Sequence, residues 1–261
     1  MNQLNGLYAI WLREVIVYFR EYSRLIGSVL TPLLWLLVLG KGIGASIDEN
    51  ENFAGVPYEV FIFPGILTMT VLFQSVFYGL YIVWDRKIDF LKEVLASPLN
   101  RSTVFLGKCL GGVTDSMIQV TIIIVLGFFI FPDLEYTLQS LMLVYLYLFL
   151  LAVIMTSLGL IIGSRMDSPE GFSLITSLVV FPMYFLSGAL FLKKSLMDEA
   201  PIIYWLTVIN PASYAVEAIR YTMIPKELFL EFGLARDLTV LIGFCIFLLA
   251  LGTYCFKTMK L

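Results

Sequence analysis

Apolar residues along this chain come in long runs that short polar stretches separate. Six runs have the length of a membrane span: Leu25–Gly44, Val60–Trp84, Val104–Phe131, Leu138–Gly163, Phe172–Leu192 and Leu238–Phe256. About twenty apolar residues cross a bilayer as an α-helix, which satisfies its own backbone hydrogen bonds in lipid. The pattern therefore predicts an all-α integral membrane protein with six transmembrane helices and both termini on one side.

Composition and missing residue types narrow the function. Of the 261 residues, 59% are hydrophobic and 14% charged, whereas about 25% are charged in a soluble domain. The chain has no histidine and no P-loop sequence, and no span carries a pair of acidic residues at helical spacing. Histidine is the commonest metal ligand and the usual general base. We therefore expect one transmembrane domain over residues 1–261 with no catalytic, metal, ATP or nucleic-acid site.

Lysine and arginine are distributed unevenly between the two sets of loops. Eleven of them fall on the side that holds both termini and six on the other side. By the positive-inside rule, the side richer in these residues is cytoplasmic. We therefore expect both termini, and the loop that follows the second run, in the cytoplasm.

The loop between the second and third runs predicts an amphipathic helix from Asp85 to Ser97. Proline has no N–H to donate and disfavours the α conformation before it, so Pro98 ends the helix. A helix at a membrane exit is typical of a docking surface for a soluble partner, and we expect Glu93→Ala or Leu91→Asp to uncouple that partner with little loss of folding. One face of this helix carries Ile88, Leu91, Val94 and Leu95, and the other carries Asp85, Asp89, Lys92 and Glu93. The candidate docking residues are Asp85, Arg86, Asp89, Leu91, Lys92, Glu93, Val94, Leu95, Ser97 and Pro98.

The N-terminal segment, residues 1–24, predicts a second amphipathic helix. Its apolar and aromatic residues recur at helical spacing, and charged residues such as Glu14 fill the other positions. The segment is too charged to cross a membrane, but tryptophan and tyrosine suit the headgroup level. We expect an interfacial helix with Trp11, Arg13, Tyr18 and Arg20 as its functional residues, and a plain anchor for the first span is the alternative.

The segment 193–235 contains two short helical stretches that are separated by a break. The last span and its tail follow at residues 236–261. The stretch Pro201–Ile209 is apolar but too short to cross, and Asn210-Pro211 separates it from a second short helix. Broken helices at membrane depth are tolerated only where protein or water covers them. We expect an outer re-entrant pair above a pathway, with a structural plug as the alternative. The candidate gate residues are Asn210, Pro211, Tyr214, Glu217 and Arg220.

The first five spans occupy residues 25–192, and they contain two further features: a glycine spacing and a pair of ionisable residues. Gly107-x-x-x-Gly111 and Gly159-x-x-x-Gly163 predict close helix packing. Lys108 and Asp115 are ionisable at membrane depth, which usually marks function. Lys108 is near enough to the cytoplasmic end to extend to water. Asp115 fits either a helix–helix hydrogen bond or a role in a pathway.

Three motifs in a fixed order give the chain a family resemblance. Phe63-Pro64-Gly65 opens the second span, the segment from Leu91 to Lys108 follows that span, and Asn210-Pro211-Ala212-Ser213-Tyr214 precedes the last. Together they resemble the type-2 permease family of ATP-binding cassette (ABC) transporters. The drug-resistance branch is closest and the polysaccharide-exporting branch second. The resemblance covers nearly the whole chain.

The resemblance implies a non-catalytic permease subunit of an exporter in the plasma membrane of a prokaryote. Two permeases, either two copies or this chain and a close relative, would pair with two soluble ATPase subunits. ATP and Mg²⁺ would bind those subunits, and this chain would bind no cofactor. The segment Asp85–Ser97 would be the coupling helix that docks on the ATPase, and the N-terminal helix would be the interface helix.

The resemblance also implies where the cargo would pass. Spans one, two and five would face the partner permease and line the route, with membrane lipid around them. The cargo would be an amphipathic drug or a lipid-like molecule, and a lipid-linked glycan is the alternative within the family. An ATPase-free channel or an intramembrane enzyme is the alternative outside it. Candidate wall residues are Phe73, Phe77, Tyr78, Tyr184 and Phe185.

Overall fold

The computed structural model describes residues 3–45, 55–192, 200–224 and 227–259, and these residues form helices joined by turns and short loops. The helices are α1 (Gln3–Arg20), α2 (Tyr22–Trp35, continued by a π-helical stretch Leu36–Lys41 and a last turn Gly42–Gly44), α3 (Tyr58–Phe77), α4 (Leu80–Lys87), α5 (Phe90–Ala96), α6 (Arg101–Ile130), α7 (Leu138–Arg165), α8 (Pro169–Phe185), α9 (Pro201–Ile209), α10 (Pro211–Met223) and α11 (Leu234–Lys257). The predicted all-α class is confirmed for this part of the chain.

Four helical segments among the described residues are long and apolar enough to cross a membrane. They are α3 with α4 (Tyr58–Lys87), α6, α7 and α11. The pair α9–α10 bends by 86° at Asn210 and gives a fifth if it is counted as one span. The apolar part of α2 covers only Ile26–Lys41, and α8 has 17 residues. The count of six spans therefore stays a prediction.

The centre of the bundle is α3. Its side chains are buried almost without interruption from Val60 to Leu72, and it packs against α6, α7 and α10. A helix that is covered on every side has no reason to carry a polar face. This packing accounts for the uncharged second run of the sequence.

The predicted close packing at Gly159 and Gly163 is confirmed in α7. A Cβ atom on Gly159 would overlap the carbonyl oxygen of Val76, and one on Gly163 would overlap that of Gly79. Glycine at these positions lets the backbone of α7 touch the junction between α3 and α4. Because α3 ends at Phe77 and α4 begins at Leu80, this contact lies at the break in the second predicted span.

The prediction of one continuous helix from Asp85 to Ser97 is wrong. Asp85 lies in α4, and α5 begins only at Phe90 and ends at Ala96. Between them Asp89 has a φ of 58°, a left-handed conformation that the short aspartate side chain adopts more readily than most. The turn reverses two predicted environments, because Asp85 is 4% exposed and Ile88 is 66% exposed.

Candidate coupling site and cavity

The first helix lies along the first half of α6. At one end the Thr103 hydroxyl donates a hydrogen bond to the Gln3 amide oxygen at 2.8 Å. Further along, the indole N–H of Trp11 donates to the Thr114 hydroxyl at 2.9 Å. Trp11 thus fixes α1 to α6, in addition to its expected place at an interface.

Between these two contacts α6 presents Gly107 and Gly111 to α1. A Cβ atom on Gly111 would lie 2.7 Å from the Cβ of Glu14, which confirms the predicted close packing. Glu14 and Tyr18 are buried at 4% and 0% exposure, so the expected arrangement, with Glu14 on a polar outer face, is wrong. The outer side of α1 is instead an apolar stripe of Leu4, Tyr8, Leu12, Ile16 and Phe19, all exposed, while Arg20 at its end is exposed too.

Four charged residues meet where α1, α4 and α6 converge, and we call them the ion cluster. The Lys108 ammonium donates to Asp85 at 2.5 Å and to Glu14 at 2.9 Å. The Arg13 guanidinium donates to Glu14 at 2.7 Å and to Asp85 at 3.2 Å. Lys108 is 1% exposed, so the expectation that it extends to water is wrong. The two positive charges of the cluster equal its two negative charges, so its net charge is zero.

Burial and charge act against each other at Glu14. Removal from water favours the neutral acid and by itself raises the pKa of this carboxyl, but Lys108 and Arg13 outweigh that effect and the pKa is lowered. Burial likewise opposes the charge of Arg13, whereas Glu14 and Asp85 raise the pKa of its guanidinium. A buried ion that keeps its partners is compatible with folding, and one that loses them is costly.

The elbow between α4 and α5 is held from both sides. On one side the Arg13 guanidinium lies 3.9 Å from the centre of the Phe90 ring in α5. On the other side Arg86 donates to the Ser164 carbonyl at the end of α7 and pairs with Asp167, both at 2.9 Å. Arg86 therefore joins α4 to the end of α7 and is not part of an exposed docking face.

The short helix α5 has one anchored side and one exposed, charged side. Leu91 is fully buried, whereas Asp89 and Lys92 are exposed and form an ion pair at 2.6 Å. The Ser97 hydroxyl donates to the Val94 carbonyl and closes the helix before Pro98. The expectation that Leu91→Asp would leave folding intact is therefore wrong. Of the other predicted docking residues, Glu93 and Pro98 are exposed, and Val94, Leu95 and Ser97 are half-buried.

Two neighbouring cavities lie beside this site. The lower cavity, about 630 Å³, is lined by α1, the end of α3 and α4, and its wall includes Arg13 and Asp85 of the ion cluster. The upper cavity, about 410 Å³, lies among α2, α3, α6 and α8. Gln74 and Phe77 line both cavities. The two cavities therefore share part of one wall at the end of α3.

The predicted wall residues occupy different places. Phe73 and Phe77 line the upper cavity and Tyr78 lines the lower one. Tyr184 is buried beside Phe73, with 6.4 Å between ring centres. Phe185 is 45% exposed at the surface. Their roles in transport stay predictions.

At the opposite end of α3, Arg220 ties three parts of the chain together. Its guanidinium donates to the carbonyl oxygens of Phe61, Gly188 and Ala189, at 3.2, 3.0 and 2.7 Å. It also lies 3.9 Å from the centre of the Phe61 ring. Arg220 thus fixes the turn after α8 against α3 and α10.

The other predicted gate residues hold the bend between α9 and α10. Asn210 accepts from the Ala212 N–H at 3.0 Å, which caps α10, and donates to the Met183 carbonyl at 2.6 Å. Tyr214 donates to the Val208 carbonyl at 2.6 Å. Pro211 begins α10, and the Glu217 carboxylate accepts from the backbone N–H groups of residues 231 and 232. These contacts fix the bent pair, and its role as a lid stays a prediction.

The sequence matches a known family of membrane proteins. The family model described as ABC-2 type transporter matches residues 5–224. The chain belongs to the ABC-2 type transporter family. The predicted family is therefore confirmed, and with it a transport function for a subunit without catalytic chemistry of its own.

Individual relatives agree with the family. The transport permease ycf38 of Cyanophora paradoxa is 30% identical, over 84% of this chain and 74% of that protein. The inner membrane transport permease YadH of Escherichia coli K12 is 27% identical, over 83% and 82%. Nodulation protein J of Neorhizobium galegae is 24% identical, over 83% and 80%. The inner-membrane relative and the apolar helices support a location in the inner membrane.

Proposed function

We propose that this chain is the membrane-spanning half of an ATP-driven exporter with six spans and cytoplasmic termini. Two permeases, identical or closely related, assemble with two soluble ATPase subunits, which bind ATP and Mg²⁺. The cargo is an amphipathic drug or a lipid-like molecule. Family membership supports an ABC ATPase as the partner.

The observation that carries the proposal is the continuity from α5 to the cavities. The exposed side of α5 carries Lys92 and Glu93, and Asp89 is exposed in the turn before it. Phe90, the first residue of α5, lies against Arg13 of the ion cluster. Arg13 and Asp85 also line the lower cavity. A partner that moves α5 therefore moves residues in the wall of the cavity.

In the proposed cycle, ATP binding closes the two ATPase subunits and displaces both copies of α5. The ion cluster transmits this movement to α1 and α6, and the elbow transmits it to α3 through α4. Spans one, two and five then change their packing, and the bent pair α9–α10 yields on the outer side. The cargo is moved because its affinity differs between the inward and outward states.

Site-directed crosslinking tests the ATPase partner. The native cysteines Cys109, Cys245 and Cys255 are buried, so a cysteine introduced as Lys92→Cys is the accessible thiol on α5. The matched control is Glu135→Cys, which is exposed beyond the other end of α6. We expect Lys92→Cys to crosslink, in native membranes, to a soluble protein that carries a P-loop, while the control does not. Equal labelling of both positions, or no ATPase at either, would contradict the proposal.

A transport assay decides between the two classes of cargo. Inverted membrane vesicles that contain the permease and its ATPase are supplied with ATP and either an amphipathic dye or an undecaprenyl-linked sugar. ATP-dependent uptake of the dye supports the drug or lipid assignment. Uptake of the sugar alone replaces it with the glycan alternative.

A further inference from the structure

The C-terminal ends of α7 and α11 are each capped by an arginine from another helix. Arg86 of α4 donates to the carbonyl oxygens of Ser164 and Met166 at the end of α7, at 2.9 and 3.1 Å. Arg101 of α6 donates to two carbonyl oxygens at the end of α11, at 3.2 and 2.8 Å. Both helix ends thus obtain a cation and hydrogen-bond donors from elsewhere in the chain, which is the usual role of a basic residue in the last turn.

The basic residues in the last turns of α7 and α11 themselves, Arg165 and Lys257, are not used in this way. Arg165 donates to the Thr258 hydroxyl at 2.9 Å, which brings it close to Lys257. In the part of the chain that the structure describes, Arg165 makes no other side-chain hydrogen bond and neither cation pairs with a carboxylate. Asp167, the acidic residue nearest to Arg165 in the sequence, pairs with Arg86. Two neighbouring, exposed positive charges are therefore available at this end of the bundle.

An exposed apolar stripe extends along α11 from these two cations. Tyr254 and Phe247 are 62% and 61% exposed, and their spacing from Lys257 places all three on one side of the helix. Phe247 also lines an open groove of about 320 Å³ within residues 240–247. At 1.5 Å per residue, Phe247 lies about 15 Å from Lys257 along the helix, which is half of the hydrocarbon thickness of about 30 Å. The stripe therefore has the depth of one leaflet.

An anionic phospholipid matches both parts of this surface. Its phosphate oxygens accept hydrogen bonds from a guanidinium and from an ammonium, and its acyl chains match an apolar stripe of one leaflet's depth. We infer that the seam between α7 and α11 binds an anionic phospholipid, with the phosphate at Arg165 and Lys257 and an acyl chain along Tyr254 and Phe247. Basic groups between transmembrane helices recognise such headgroups. The inference depends on the membrane-spanning helices and not on the proposed export.

A second copy of this chain fits this face less well. Only 28% of the apolar window of α11 is buried within the chain, so lipid or protein must cover the rest of the helix. A twofold contact through this face would place Arg165 and Lys257 at the same depth as the same two cations of the other copy. Those like charges would repel each other, whereas a negative headgroup attracts them.

Quenching by spin-labelled lipids measures which lipid lies on this stripe. The native cysteines are buried, so Ala250→Cys supplies one accessible thiol for a bimane fluorophore, two turns before Lys257 on the exposed side of α11. The labelled full chain is placed, without any ATPase, in phosphatidylcholine nanodiscs that contain nitroxide-labelled phosphatidylglycerol or nitroxide-labelled phosphatidylcholine. We expect phosphatidylglycerol to bind beside the label about 25-fold more tightly, with each of the two cations contributing about fivefold.

Variants assign this preference to the two cations. Arg165→Gln and Lys257→Gln should each reduce it to about fivefold, and the double variant should abolish it without changing the unfolding temperature, because both side chains are exposed. Lys92→Gln is the matched control, since it removes an exposed cation from α5 at the same end of the protein, and it should leave the preference unchanged.

Three results would overturn the inference. The first is equal quenching by the two lipids in the labelled parent protein. The second is a preference that survives in the double variant, or that Lys92→Gln lowers as much as Lys257→Gln does, because the general charge of this end would then attract the lipid. The third is loss of the preference in inorganic phosphate but not in chloride of the same ionic strength, which would identify a soluble anion as the ligand.

Discussion

Lys108 and Asp85 form a buried ion pair in which 2.5 Å separates the ammonium nitrogen from a carboxylate oxygen. Their side chains are 1% and 5% exposed, so water can replace neither partner. Breaking such a pair costs far more than breaking a surface pair, because each ion is left without solvation. The pair therefore holds α4 to α6, which is the connection that the proposed coupling requires.

Removal of the cation should destabilise the protein strongly. Lys108→Met leaves the carboxylates of Asp85 and Glu14 buried beside Arg13 alone, and we expect a loss of about 3–5 kcal/mol. Thermal unfolding of the purified protein in nanodiscs measures it. Lys92→Met is the control, because its ion pair with Asp89 is exposed and is worth less than about 1 kcal/mol. Equal stability of the two variants would show that the cluster does not hold α4 to α6.

Acid should loosen α1 through Glu14. Its folded-state pKa is lowered from the ordinary 4.5, so its contribution is complete above that pH and is lost as the pH falls through the lowered value. The groups that face Glu14 are Arg13, Lys108, Asp85 and Tyr78. As the pH is lowered through this range, we expect the midpoint temperature of thermal unfolding to decrease, and to decrease less in the Glu14→Gln variant. A parallel fall in both proteins would assign the acid sensitivity to other groups.

The exposed residues of α5 and of the elbow before it should bind the ATPase, whereas the buried Leu91 should not. Ile88 at the elbow is 66% exposed, and we expect Ile88→Asp to weaken ATPase binding about tenfold, equivalent to about 1.4 kcal/mol, with unfolding unchanged. Leu91→Ala should instead cost about 2–5 kcal/mol of stability, because Leu91 is fully buried. Co-purification and thermal unfolding measure the two effects. ATPase binding unaffected by Ile88→Asp would remove this face from the interface.

Apolar runs and glycine spacing predicted most of the fold. Runs of twenty apolar residues and the Asn210-Pro211 break are local features of the sequence, so the helices and the bent pair α9–α10 could be predicted from them. The break at Asp89 could not, because an aspartate in a left-handed turn carries no mark in the hydrophobic pattern. The contacts that hold the turn, of Arg13 with Phe90 and of Arg86 with the end of α7, join residues that are far apart in the sequence.

The ion cluster was missed for a similar reason. Glu14 and Asp85 each sit in a segment with a plausible polar face, and helical periodicity cannot tell solvent from a neighbouring charged helix. The usable signal was Lys108 between Gly107 and Gly111, because a cation beside a close helix contact needs an anion from that neighbour.

The glycine contact at the break between α3 and α4 should tolerate no side chain. Gly159→Ala places a Cβ atom on the Val76 carbonyl oxygen, and we expect the helices to separate at a cost of about 1–3 kcal/mol. Gly243→Ala in α11 is the matched control, because nothing lies within 4 Å of its Cβ position. Alanine there should be neutral or stabilise by up to about 1 kcal/mol. Thermal unfolding of the two variants compares them, and a neutral Gly159→Ala would contradict the close contact.

Arg220 should be irreplaceable by lysine even though the charge is kept. The planar guanidinium donates to three carbonyl oxygens that lie in different directions, and one ammonium on a flexible chain cannot reproduce that fork. With about 1 kcal/mol for each hydrogen bond lost and more for a carbonyl left buried, we expect Arg220→Lys to cost about 2–4 kcal/mol. Arg236→Lys is the control, because Arg236 is exposed and lies 4.8 Å from the Phe232 ring centre.

The same variant distinguishes a lid from a plug at the bent pair. If α9–α10 is a lid that Arg220 holds shut, hydrogen exchange should rise in the turn at residues 186–190 and in α10, while the ion cluster around Lys108 keeps its protection. If the pair is a plug that supports the whole bundle, exchange rises throughout α3 and α6 as well. Among the described residues, the side-chain hydrogen bonds of Arg220 go to Phe61 near the start of α3 and to the turn after α8, so we expect the local response.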